Sequence, residues 1–232
     1  MKKIYPLLLI CLIAVMSSCN LKTYKGDPTN EKRSVSEYSK IKVKGPFDVI
    51  IDPNKESGLT ITAPSDAIAD IETRVENGEL ILDLDNSGYM SPDIEVVIAN
   101  SQLEGISISG SGSFEGALET KKDLDLKIGG SGNIDVQSNA NRVYANISGS
   151  GNINASGTCE MLEASISGSG NMNFGKMEAQ DVDVSISGSG GMKVNVTRNL
   201  EASVSGSGSI TYTGSPVSVD KNVSGSGSIR KN

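Results

Sequence analysis

Asn146 to Ala155 reads NISGSGNINA, one of seven versions of a phrase that fills the C-terminal half of the chain. The GSG triplets begin at Gly110, Gly130, Gly149, Gly168, Gly188, Gly206 and Gly225, in steps of 20, 19, 19, 20, 18 and 19 residues. A beat this regular is the mark of stacked repeats. Upstream of the triplet the copies align as LDLKIGGSG from Leu124, VYANISGSG from Val143, LEASISGSG from Leu162, VDVSISGSG from Val182 and LEASVSGSG from Leu200. Within one copy Val143, Ala145, Ile147, Gly149, Gly151, Ile153 and Ala155 share one parity, and Tyr144, Asn146, Ser148, Ser150, Asn152 and Asn154 the other. A period of two is that of a β-strand with one face buried.

About 19 residues suffice for one short coil but not for a helix-containing repeat with its turns, and one coil cannot bury its own apolar face. The sequence therefore predicts an all-β fold, a single-stranded β-helix or β-solenoid with about 19-residue coils. Stacked at roughly 4.8 Å, seven coils make a column on the order of 30 Å tall around a thin core. A composition of 37% hydrophobic but only 4% aromatic residues suits such a core. A net charge of −7 with no histidine argues against a nucleic-acid partner, which needs a basic surface.

The first residues read as a targeting segment. Lys2 and Lys3 precede an apolar run from Leu7 to Val15, and Met16-Ser17-Ser18 lead into Cys19. The run is too short to cross a hydrocarbon layer of about 30 Å as a helix. Small residues directly before a cysteine resemble the lipobox of bacterial lipoproteins, which implies residues 1–18 as a signal peptide, lipidation of Cys19 and attachment to a membrane. Cys11 would leave with the signal, so Cys159 is the third and last cysteine, with no partner for a disulfide and no histidine to activate it.

Residues 19–34 are then the lipidated cysteine and a polar, flexible tether. Residues 35–106 show strand-like runs without the beat, separated by Pro53, Pro64 and Pro92, and are expected to begin or cap the solenoid as an irregular β region stacked on it. Asn77-Gly78, flanked by alternation, predicts a hairpin. PSDAIADI from Pro64 predicts a short helical turn capped by Ser65 or Asp66. Residues 107–232 hold the seven coils. In the last of them Lys221 stands where the others carry Leu126, Ala145, Ala164, Val184 and Ala202, an inward charge that discourages a further strand from adding to the edge.

The order of an FDVII strand at Phe47, VENGELIL at Val75, IEVVIA at Ile94 and tandem ISGSGNI units resembles the "putative auto-transporter adhesin, head GIN domain" family of Bacteroidetes-type bacteria over nearly the whole mature chain. The resemblance implies a stacked all-β protein of the envelope. It brings no catalytic residues and no cofactor.

Stacking turns outward positions into files. Ser148, Ser169 and Ser189 belong to two neighbouring serine files, with Asn152 and Asn171 stacked beside them; together they are the candidate binding face, offering donors and acceptors to a glycan or an envelope protein. The bland alternative is a corner motif whose hydroxyls only solvate the surface. A second file contains Asp125, Glu163, Asp183 and Glu201. Calcium takes such oxygen ligands, yet no calcium loop accompanies these four, and a solvated acidic face that resists aggregation is the better-supported reading. The glycines are not a phosphate cradle, because no helix follows any copy. Three function classes result: a non-enzymatic, outer-membrane adhesion or binding module facing the cell surface or the periplasm, an envelope scaffold without its own ligand, and a polysaccharide-active enzyme. The third is weakest, since Lys127, Arg142, Lys193 and Arg198 are scattered and the copies are too alike for one to be specialised.

Overall fold

The computed structural model describes residues 23–55, 58–84 and 92–232. The expected signal segment and Cys19 lie outside the described residues. The chain runs through β1 (Pro28–Arg33), β2 (Lys40–Lys44), β3 (Phe47–Ile51), β4 (Leu59–Pro64), β5 (Ile71–Glu76), β6 (Glu79–Leu84), β7 (Ile94–Ile98), β8 (Gly105–Gly110) and β9 (Ser113–Leu118). It continues through β10 (Leu124–Gly130), β11 (Asn133–Asn139), β12 (Arg142–Gly149), β13 (Asn152–Gly168), β14 (Asn171–Gly188), β15 (Gly191–Gly206), β16 (Ser209–Gly214), β17 (Ser218–Gly225) and β18 (Ser228–Lys231).

These strands are the predicted solenoid. Equivalent positions of successive coils pair in parallel and in register: Ile128 beside Ile147, Ile147 beside Ile166, Ile166 beside Ile186 and Ile186 beside Val204. All five side chains are buried, in one continuous core that runs from Ile41 to Tyr212. The alternation does what period two requires, with Val143, Ala145, Ile147, Gly151, Ile153 and Ala155 buried and Asn146, Ser148, Ser150 and Asn154 exposed.

Each coil turns at its GSG. The first glycine of all seven triplets has positive φ, for example 135° at Gly149 and 133° at Gly168. That bend aims the next two amides at the preceding coil: Ser150 N and Gly151 N both donate to Gly130 O at 2.9 and 3.1 Å, and Ser169 N and Gly170 N to Gly149 O at 2.9 and 3.2 Å. At these two corners both amides are thus satisfied inside the stack and are not free to bind an anion.

The amino-terminal end departs from chain order. β2 lies between β6 and β8, and β3 between β7 and β9, so the coil built from β6 and β7 stacks outside the one that precedes it in sequence. Beyond it, antiparallel β5 pairs with β6 and antiparallel β4 with β7, closing the end of the core. The β5–β6 hairpin turns at Asn77 (φ 51°) and Gly78 (φ 75°), as the Asn-Gly signal predicts.

Two expectations need correction here. Residues 28–33, expected within the tether, form β1, which pairs antiparallel with β4 along its whole length. Arg33 secures it, its guanidinium donating to Ile71 O and Thr73 Oγ1 at 2.7 Å each and to Ile68 O at 3.2 Å. The helical turn forms as a 3-10 turn at Ile68–Asp70, but no side chain caps it. Asp66 instead accepts from Lys25 N at 2.8 Å and Gly26 N at 2.9 Å, tying down the segment before β1 and holding its carboxyl below the ordinary range.

The carboxyl-terminal end is more open. β17 is exposed along its length, with Val219 and Val223 39% and 43% accessible. Lys221 pairs with Ala202, as aligned, and its ammonium lies 4.6 Å from the centre of the Tyr212 ring, a cation–π contact that draws the charge across the mouth of the core.

Cys159 is buried beside Ala179, and burial pushes its thiol up to about 12. The thiolate is the reactive form, so a thiol reagent at neutral pH should leave Cys159 unmodified in the folded protein and label it fully in denaturant. Native labelling at the denatured rate, followed by mass spectrometry, would show that this coil does not close.

Candidate functional site

The sequence-predicted binding residues come together around the GSG corner. Ser148 stands in a file with Ser167, Ser187, Ser205 and Ser224 on the strand before the corner. Ser169 and Ser189 occupy the corner itself, and Asn152 and Asn171 begin the strand after it, in register with Asn133. The three files run side by side along the axis and turn around the corner as a polar ridge. Ser148, Ser169, Ser189 and Asn171 are exposed and Asn152 is half-buried.

Side-chain hydrogen bonds run along the ridge and the sheet behind it. Asn152 Nδ2 donates to Asn133 Oδ1 at 2.9 Å and Asn171 Nδ2 to Asn152 Oδ1 at 3.3 Å. Asn154 Nδ2 donates to Asp135 Oδ2 at 3.3 Å, and Asn146 Nδ2 to Ser165 Oγ at 2.7 Å. Amide carries both donors and acceptors, so a stacked file of it satisfies itself and still leaves one N–H and one lone pair per side chain facing out. The result is a regularly spaced polar array in which the side chains of Asn133, Asn152 and Asn171 are hydrogen-bonded to one another before any partner arrives.

The acidic file forms as aligned. Asp125, Tyr144, Glu163, Asp183, Glu201 and Asp220 pair coil by coil. Its upper part lines a shallow depression of about 570 Å³ with Lys40 and Lys127, and Lys127 Nζ is ion-paired to Asp125. The four candidate metal ligands follow one another along the axis and do not converge; among the described residues no group of three or more His, Cys, Asp or Glu is placed to hold a metal ion. A pair absent from the sequence reading is Arg198 with Asp181: Arg198 Nε and Asn199 Nδ2 each donate to Asp181 Oδ1 at 2.8 Å, and the guanidinium holds that carboxyl below its ordinary range. It staples one coil corner to the next. Residues 17 apart in sequence give no local signal for it.

No curated protein matches the chain in sequence. Solved structures do. A "putative adhesin" from Bacteroides fragilis NCTC 9343 is 28% identical with a TM-score of 0.81, over 90% of this chain and 99% of that one. A "putative lipid binding protein" from Parabacteroides distasonis ATCC 8503 is 25% identical with a TM-score of 0.69, over 90% and 98%. A "putative adhesin" from the same organism, at 21% identity and a TM-score of 0.71 over 91% and 99%, shares the fold. Residues 37–216, from just before β2 to just after β16, match the model of one family, and with the stacked GSG coils this places the chain in the family described as "Putative auto-transporter adhesin, head GIN domain".

Proposed function

We propose that the protein is a non-enzymatic adhesion module of the cell envelope, held to a membrane by lipid on Cys19 and contacting a glycan or protein through the polar ridge at the GSG corner. The observation that carries this reading is the register of the ridge: Ser148, Ser169, Ser189, Asn152 and Asn171 recur on files spaced by the strand repeat, with amides already ordered by hydrogen bonds to one another. An ordered array loses little side-chain freedom on binding. It also repeats, so a polymeric ligand meets the same groups several times, and the contacts add as avidity.

The anchor and the ridge are tested separately. Cells expressing the protein should incorporate a labelled fatty acid into it, and Cys19→Ala should abolish the label. Glycan-array binding by the protein lacking residues 1–19 should be lost when Asn152 and Asn171 are both replaced by alanine, with the thermal midpoint moved by only a few degrees. A blank array together with crosslinking to one envelope protein would instead assign the ridge to a scaffold.

A further inference from the structure

The sheet that follows each GSG corner carries a charge order along the column. One exposed file on it reads, coil by coil, Glu115, Asp135, Asn154, Asn173, Lys193 and, two coils on, Arg230. Acid gives way to amide and amide to base. Asp48 and Glu95 add two exposed carboxylates at the acidic end, on the file next to it. Among the described residues neither Glu115, Asp135, Lys193 nor Arg230 makes an ion pair within the chain. The charges are sorted by height and left unpaired.

We propose that this face pairs with the same face of a second copy, with the two columns antiparallel. A two-fold axis lying along the strands between Asn154 and Asn173 sets each file over its own reverse. Asp135 then meets Lys193 of the other copy, and Asn154 meets Asn173. Ile50, 37% accessible and one coil above Glu115, meets the aliphatic stem of Arg230. A parallel arrangement would set acid on acid and base on base, so the charge order selects the antiparallel one.

The size of the face sets the strength. Strands of about seven residues and seven coils give roughly 20 by 30 Å, on the order of 600 Å². A standard interface buries about 800 Å² per partner. The pairing is therefore weak and reversible between free molecules, and it multiplies where many copies share a surface. The inference deepens the adhesion reading and rests on it in one respect: if residue 19 is anchored, antiparallel columns send their tethers in opposite directions, the geometry for joining two membranes.

Sedimentation velocity of the purified protein from about 1 μM to about 1 mM covers the range in which so small a polar interface dissociates. The protein should pass from monomer to dimer, and about 1 M salt, with a Debye length of about 3 Å, should raise the dissociation constant at least tenfold. Lys193→Glu/Arg230→Glu makes the file wholly acidic at its charged positions, and Glu115→Lys/Asp135→Lys makes it wholly basic. Each variant alone should stay monomeric, and an equal mixture should dimerise. A wild type that is monomeric throughout, variants that dimerise unaided, or a mixture that stays monomeric would each overturn the proposal. A wild type that stays monomeric up to about 1 mM and still binds glycan overturns the pairing while leaving the adhesion reading in place.

Discussion

Gly168→Ala should destabilise the protein by about 4 kcal/mol, among the largest effects available to a single methyl group in this chain. Two costs combine. Gly168 sits at φ 133°, outside the range an L-residue adopts comfortably, and a Cβ there would stand 2.4 Å from Gly149 O. That carbonyl accepts from both Ser169 N and Gly170 N, so it cannot withdraw without breaking the corner hydrogen bonds. The same overlap recurs at Gly149, where Cβ would lie 2.4 Å from Gly130 O. Gly129 supplies the control. It has no positive φ, its Cβ would meet nothing nearer than 4.0 Å, and it aligns with Ser148 in the next coil. Gly129→Ser should change stability by less than about 0.5 kcal/mol, or raise it by restricting the unfolded chain. Urea denaturation measures both. If the two substitutions cost the same, the corner is not the strained, shared element described here.

That contrast shows why so much of the fold is legible in the sequence. The positive-φ glycine, the buried glycine after it and the alternating strand are local requirements, and the chain states them seven times. The phase of Ile128, Ile147, Ile166 and Ile186 is therefore readable without coordinates, as is the hairpin at Asn77-Gly78. The insertion of β6 and β7 outside β2 and β3 is not readable. It depends on which apolar strand covers which, and IKV at Ile41, VII at Val49, LIL at Leu80 and VVI at Val96 are too alike in composition to state an order. β1 is hidden for a different reason. Its PTNEKR has no apolar side chain to give a period, and its place is fixed by backbone pairing with β4 and by Arg33 reaching carbonyls 35 and 38 residues away. The ridge residues and their three files are legible in the alignment, but the turn that carries them around a corner follows from the bend at the first glycine, which a linear alignment flattens.

The charge order on the sheet beyond the corner was hidden by the repeat itself. Alignment draws the eye to what recurs, whereas Glu115, Asp135, Asn154, Asn173, Lys193 and Arg230 occupy one column and change sign along it. Apolar positions are held constant because each must cover the one before; outward positions have no such duty, so variation there is free to carry specificity.

The core makes the sharpest demand on this picture, because in a stack each coil contacts only its neighbours and the cost of a cavity depends on where it lies. Ile147 is fully buried, with Ile128 on one side and Ile166 on the other. Ile147→Ala should cost about 2–5 kcal/mol, toward the upper end because neighbours held in register on both sides cannot collapse into the space. Val223 occupies the equivalent file in the last coil, paired with Val204 on one side only and 43% accessible. Val223→Ala removes two methyl groups already half in water, and should cost less than about 1 kcal/mol. Guanidinium denaturation followed by circular dichroism should therefore separate two truncations of the same file by at least about 1 kcal/mol. Equal costs would mean that Ile147 and Val223 see the same surroundings, and a column with a covered middle and an open last coil does not allow that.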